Sequence, residues 1–453
     1  MLELLSRNSL SKRRWLRLYA PISAVILWGC LWFNLNTGFW FITTPHSASD
    51  LLNLIRYVLP FVVIPVAGLI LLQQRKLHLP KKTPTRLLIV YGSFATLASV
   101  FSPAPWVALY WSTGFLATIL AAWTFIEKRD SLESARQLLQ ITWLATFIVA
   151  AFVGYQARNS VFGDALASHG VLTDLNGLSR SSGVARWAAV PGLVCLIRAY
   201  YTRRRALMAF YLSTAAVSFF IVYRMQSRGA IFGSVAAMLF ALLVSSRMRR
   251  YALPFAAVAI VLILILESPE TVSTRVAQYV ERGQNREQFL SMTGRTRAYR
   301  LGFAAFLDAP FLGRGQWADR IIIHEHSHNS FLQALLNGGL FGGIPYFLSW
   351  GVGWILFYRL QKKSARLSPE DRQCLLEAGA VMMFFTVRAI PETTTASFSV
   401  DLMVMVAVYV YIESLTYQVR ATKFQQATRP IYVVPSRMNR SGIQTGVVAG
   451  RRI

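Results

Sequence analysis

The stretch from Ile321 to Gly343, IIIHEHSHNSFLQALLNGGLFGG, sets three imidazoles at every second position ahead of a glycine-studded apolar run. Alternate residues of an extended segment share a face, so His324, His326 and His328 could converge on one metal ion, as imidazole-rich zinc sites require. A zinc site that polarises water also wants carboxylates behind its ligands. The one carboxylate at hand, Glu325, falls on the opposite face of such a strand. A second reading starts from Asn329, a good N-cap, followed by Phe331, Leu332, Leu335 and Leu336 at helical spacing. His328 then sits at the positive end of a helix, where the neutral imidazole is favoured and can accept a proton. The residues alone leave both readings open.

A set of arginines carries the other chemistry. Arg158, Arg180, Arg224, Arg228, Arg275, Arg282, Arg286, Arg295, Arg297, Arg300, Arg314, Arg320 and Arg388 occur in segments that hold no lysine among them. A guanidinium grips phosphate through two parallel hydrogen bonds, which an ammonium cannot do. Arg180 precedes the helix opening in LSRSSGVARWAAVPG, Arg228 occupies the tight joint QSRGAIFG, and Arg388 ends a helix in VRAIPETTT with Glu392 close behind. Arg295 stands in TGRTRAYRLGFAAFLDAPFLGRG, where Thr293 can cap a helix running to about Asp308. An arginine at membrane depth costs roughly 2.5–3.5 kcal/mol on insertion scales and is normally kept for a partner. Arg158, Arg275, Arg282, Arg286 and Arg320 read instead as side chains that snorkel to headgroups.

The elements that must position these groups are membrane helices. Of 453 residues 54% are hydrophobic and 15% charged. Apolar runs near the 20-residue spanning length recur at 18–36, 51–73, 86–102, 106–126, 138–155, 184–201, 206–223, 229–246, 251–267, 335–358, 374–390 and 400–417. The fold class expected is all-α, a polytopic membrane protein of about twelve helices. Its parts are helices 1–9 over 1–267, a large external helical loop over 268–334, helices 10–12 over 335–417 and a basic tail over 418–453.

The net charge of +27 does not imply nucleic acid, because about two thirds of the 47 Lys and Arg residues cluster in alternate loops and the tail. That pattern expects both termini in the cytoplasm and segments 156–183, 224–228, 268–330 and 388–399 on the external face, with the histidines. The basic start and first apolar run read as an uncleaved signal anchor, since Trp28 is too bulky for a lipoprotein cleavage box at Cys30. Cys195 and Cys374 fall toward cytoplasmic helix ends, leaving no external disulfide or thiolate. No internal repeat supports a transporter built from two related halves. The tail can meet solvent or anionic lipid.

With these pieces in order, the chain resembles the bacterial O-antigen ligases and their relatives, the O-antigen and exopolysaccharide polymerases and protein O-oligosaccharyltransferases. His328-Asn329, nine residues, then Gly339-Leu340-Phe341-Gly342 fits their H[NSQ]-x9-G-x-x-[GTY] pattern. Arg180-x-x-Gly183, Ser227-Arg228-Gly229 and Gly294-Arg295 followed by APFLGRG match in sequence, over about residues 175 to 345.

The resemblance implies a glycosyltransferase of the C-type architecture in the bacterial inner membrane. Its donor would be a glycan on undecaprenyl diphosphate, and its acceptor the lipid A core or, for a polymerase, a second lipid-linked glycan. A transporter of lipid-linked sugar is the remaining alternative. In the implied chemistry His328 is the general base, Arg228 and Arg295 hold the diphosphate, and Arg180, Asn329, Arg388, Glu392 and His326 bind substrate. No metal or cofactor is expected.

Overall fold

The structure, a computed structural model, describes residues 21–35, 46–73, 83–126, 131–158, 181–225, 227–246, 248–250 and 295–427. All regular structure among them is helical. Arg180, Thr293, Gly294, Arg275, Arg282, Arg286 and the apolar run 251–267 lie outside the described residues. Met1–Thr416 and Tyr417–Ile453 are two separate compact units.

In chain order the helices are α1 (Ile22–Leu35), α2 (His46–Gln73), α3 (Pro84–Ala98), α4 (Pro105–Thr124), α5 (Ser131–Gln156), α6 (Ser181–Tyr201) and α7 (Arg205–Arg224). After them come α8 (Arg228–Val244), α9 (Arg295–Leu307), α10 (Ala318–Ile322), α11 (Ser330–Gln361), α12 (Pro369–Arg388) and α13 (Val400–Ala427). Six described segments are long and apolar enough to cross a membrane: Pro84–Phe101, Pro105–Thr124, Ser131–Tyr155, Arg205–Arg224, Ser330–Gln361 and Val400–Ala421. Ile22–Leu35, Tyr57–Gln73 and Arg228–Val244 are shorter apolar helices. Helices α6 and α12 stand where spans 184–201 and 374–390 are expected, but both carry charge. Arg198 of α6 pairs with Glu377 of α12 at 3.0 Å, and Trp143 donates to the same carboxylate at 2.9 Å. Polar groups matched in this way can be held inside a bundle where isolated ones cannot.

Helix α13 is central to the first unit, with every residue from Leu402 to Tyr411 buried. Without a hydrophobic drive between helices in lipid, close approach matters, and small residues supply it. Gly233 of α8 meets Phe384 of α12, and Gly353 of α11 meets Tyr409 of α13.

Helix α11 is broken at Gly339, whose φ of 58° and ψ of −157° are open to glycine and hardly to any other residue. Four of the backbone groups that the break frees are taken by the segment after α9. Arg314 N–H donates to Leu336 C=O at 2.9 Å and Gly315 N–H to Asn337 C=O at 2.9 Å, while Leu340 and Phe341 N–H donate to the carbonyls of Pro310 and Phe311 at 2.7 and 3.1 Å. Polar backbone at membrane depth is tolerated where it is satisfied in this way. The APFLGRG motif and the glycine that follows the histidine by eleven residues are therefore one structural joint.

Helix α9 docks on the same half of α11. It buries Ala298, Gly302, Ala305 and Phe306, one face at helical spacing, and Ala305 and Phe306 form a core with Ala318 and Leu336. This packing fixes where Arg295, the first residue of α9, points its backbone.

Candidate active site

Asn329 caps α11: its Oδ1 accepts from the Phe331 and Leu332 amides, both at 2.9 Å, and its Nδ2 donates to Ile390 C=O at 3.0 Å. Ser330 staples the same helix start to the segment after α12. Its amide donates to Ala389 C=O at 2.9 Å and its hydroxyl accepts from the Thr394 amide at 2.7 Å. Tyr299 of α9 donates to the carbonyls of His328 and Ile390, both at 3.3 Å. The N-terminus of α11, the start of α9 and the turn after α12 are thus tied into one frame.

Glu392 is its hub. Arg295 Nη2 donates to Glu392 Oε1 at 2.8 Å, and His328 Nδ1 lies 3.7 Å from Glu392 Oε2. Burial alone would raise the Glu392 carboxyl, but His328, Arg388 and Arg295 together hold it down at about 2. Arg228 opens α8 at the same place: a methyl group added at the next residue, Gly229, would meet Glu392, Pro391 and Arg388 at 3.7 to 3.9 Å, and the Arg228 and Arg295 charges repel one another. Two guanidiniums, one carboxylate and an imidazole therefore share one corner.

The chain at the histidines is not extended. His324 and His328 both take positive φ, 53° and 49°, so alternation is lost and the three rings do not converge as the strand reading requires. His324 is exposed. His326 and His328 lie ring against ring, 4.9 Å between centroids. Among the described residues no group of three or more His, Cys, Asp or Glu side chains is placed to hold a metal.

His326 belongs to a buried chain of hydrogen bonds. Its Nδ1 is 3.1 Å from Thr393 Oγ1 and 3.5 Å from Asp319 Oδ2. Asp319 accepts from the Ser327 amide and from Gln333 Nε2, both at 3.0 Å. Gln333 donates on to Asn337 at 3.1 Å, and Asn337 to Tyr91 of α3 at 3.0 Å. Burial would raise the Asp319 carboxyl, yet the bonds from His326, Ser327 and Gln333 lower it; burial lowers the His326 imidazole, which favours its neutral form.

A cavity of about 430 Å³ opens beside this corner. Glu392, His326 and Arg388 line it, whereas His328, Arg295 and Arg228 are not among its lining residues. Arg388 is 2% exposed and lies 3.8 Å from Asp401, which Arg186 also approaches at 3.1 Å. Arg320 does not simply snorkel to headgroups: its guanidinium covers the Trp317 ring at 3.9 Å and lines the cavity, because the left-handed turn at Trp317 brings that ring inward onto Trp111. Arg158, by contrast, is exposed over Tyr155.

Sequence reasoning missed Arg186, Asp401, Asp319 and Gln333. Arg186 and Asp401 left a signal, each being a charge inside or opening an apolar helix. Asp319 and Gln333 left none, since their roles arise from the fold of the loop.

Fold and site together define a multi-pass, all-helical membrane protein with an arginine, carboxylate and histidine corner at one end of its helices. Residues 213–347 match the family model described as O-antigen ligase, and this match over part of the chain supports membership of that family. The match holds Arg228, Arg295, Asp319, His326 and His328, while Arg186, Arg388, Glu392 and Asp401 fall outside it. The family is one of glycosyltransferase-type ligases and polymerases that act on lipid-linked glycans. No curated protein matches the chain.

Proposed function

We propose that the chain is an O-antigen ligase that moves a glycan from undecaprenyl diphosphate to a hydroxyl of the lipid A core. The observation that carries this reading is the Glu392 corner, where Arg295 and His328 meet one carboxylate beside Arg228. The acceptor oxygen attacks the anomeric carbon as the bond from that carbon to the phosphate oxygen breaks. The hydroxyl proton passes to His328, and the electron pair leaves with the diphosphate. Arg228 and Arg295 meet the charge that grows on the leaving group, an interaction stronger in the transition state than before it. Glu392 faces His328 Nδ1, so it steadies the imidazolium and leaves Nε2 for the acceptor. Guanidinium groups do here what a divalent cation does in other sugar transferases, and the reaction needs no metal.

Arg180 and His326 orient the sugars in this reading, and Arg388 binds substrate from the cavity. Asn329 serves chiefly through the cap that aims His328. The active corner faces the periplasm, both termini are cytoplasmic, and the helices number about twelve in a C-type arrangement with membrane lipids around them. Support for this sidedness comes from the helix ends that meet at the corner, those of α8, α11 and α12, because charge parity puts all of them outside.

The test is purified protein given an undecaprenyl-diphosphate oligosaccharide without added metal, first alone and then with lipid A core. Product only when core is present upholds the ligase; longer lipid-linked chains from donor alone make it a polymerase; no transfer with either rejects the reading.

A further inference from the structure

The cavity has a second polar end, of which the proposed function uses Arg388 alone. There Arg186 of α6 and Arg388 of α12 share one carboxylate, Asp401 of α13. Two guanidiniums against one carboxylate leave a surplus positive charge, and the neighbouring carboxylate, Glu392, is already engaged by Arg295.

Hydrogen-bonding capacity is in surplus too. Arg388 Nε and Nη1, Arg186 Nε, Trp187 Nε1 and Ser397 Oγ are all buried without a hydrogen-bond partner, and all four residues line the cavity. Buried polar groups in native proteins are nearly always paired, because leaving one unpaired forfeits its solvation without return. Several such atoms around one cavity, on α6, α12 and the segment after α12, point to a ligand that completes them. Because four of the five are donors that cannot accept, that ligand must offer acceptor oxygens, and the surplus charge requires it to be an anion.

The remaining walls describe what carries the anion. Both faces of Trp317 are taken, by Trp111 at 3.9 Å between centroids and 5° between planes and by Arg320, which leaves Trp111 and Phe398, 6.2 Å apart, as the aromatic rings open to the cavity. Broad aromatic faces bind apolar ring faces such as the C–H side of a pyranose, while fixed polar groups set its orientation. A volume near 430 Å³ is within the range of small-molecule sites.

We infer that this end of the cavity, formed by Arg186, Trp187, Arg388 and Ser397, is a subsite for an acidic group on a sugar, a carboxylate or a phosphate substituent, and selects charged glycans. It is built from other residues than the diphosphate corner of Arg228 and Arg295. The inference rests on the proposed function only in taking the ligand to be a glycan.

The experiment is a ligand-observed NMR titration of the full detergent-solubilised chain with methyl glucuronide, methyl glucoside, glucose 6-phosphate and inorganic phosphate. The uronide or the sugar phosphate should bind about tenfold tighter than the glucoside, roughly the worth of one charge-assisted pair. Which of the two binds better assigns the substituent. Arg388→Gln should reduce the acidic sugar to the affinity of the neutral one. Should that buried change prevent folding, Trp187→Phe and Ser397→Ala each remove one orphan group with little loss of volume, and each should weaken acidic-sugar binding several-fold while leaving the glucoside unchanged. Equal affinity for uronide and glucoside overturns the inference. So does inorganic phosphate binding as tightly as the sugar phosphate, or both mild variants binding as wild type does. Transfer assayed on the same preparations keeps the two ideas apart. Acidic-sugar binding without any transfer rejects the proposed function alone, and transfer with no preference in binding rejects this subsite alone.

Discussion

At the scale of single residues, Glu392 organises the site by holding Arg295 at 2.8 Å and facing His328 at 3.7 Å. A lysine at 295 would keep the charge and lose the planar fork, so it could not hold Glu392 and a phosphate oxygen together. Arg295→Lys is expected to lower turnover by about 10²-fold, in the range of losing one oriented transition-state donor. Near-normal turnover in steady-state assays would reduce Arg295 to a general electrostatic aid.

Acid sensitivity follows from the same neighbourhood. The His326 pKa is lowered from 6.5, so its neutral form contributes stability that is complete above pH 6.5 and is lost as pH falls through the folded value. The depressed Glu392 acts further down, its contribution complete above its ordinary 4.5 and lost toward about 2. Melting temperature should therefore begin to fall below pH 6.5, and His326→Asn should flatten that first part of the slope. An unchanged slope in the variant would assign the acid loss to other groups.

At the scale of elements, the break in α11 is what brings the loop to the site. Gly339 carries positive φ, and a methyl group there would come within 2.3 Å of the Phe311 carbonyl. Gly339→Ala is expected to cost more than about 2 kcal/mol, from left-handed strain and the displaced docking segment together. Thermal unfolding in detergent reads this directly, and a wild-type melting temperature would mean that the joint tolerates repacking. Asp401→Leu should cost about 3–5 kcal/mol, because it leaves Arg186 and Arg388 buried with their shared carboxylate gone.

Much at this scale was legible in the chain. Asn329 as cap, the apolar runs and the helix after Gly294 follow from local rules, since capping and periodicity are properties of neighbours in sequence. The conformation of the histidines was not legible. Left-handed φ at His324 and His328 accompanies contacts made across the fold, the Ser327 amide to Asp319 and Tyr299 to the His328 carbonyl. The same holds for Arg320, whose place depends on the turn at Trp317.

At the scale of the whole molecule, the fold brings residues of separate segments to one corner. The segments that parity puts outside contribute Arg228, Arg295, His328 and Glu392, which the fold gathers at one corner. Arg136, Arg198, Asp371 and Glu377, near segments that parity puts inside, form ion pairs of their own. A cysteine at Trp106, which is 81% exposed, should react with a membrane-impermeant maleimide added outside, and one at Arg366 should not. The reverse pattern would invert the proposed topology.

The central claim is that His328 takes the acceptor proton while the arginine corner holds the departing diphosphate. Release of undecaprenyl diphosphate by His328→Ala, compared with wild type at matched melting temperature, tests it most directly. The account requires a loss of about 10²-fold or more with the donor still bound, in the range of a general base. Wild-type release from the folded variant would contradict it.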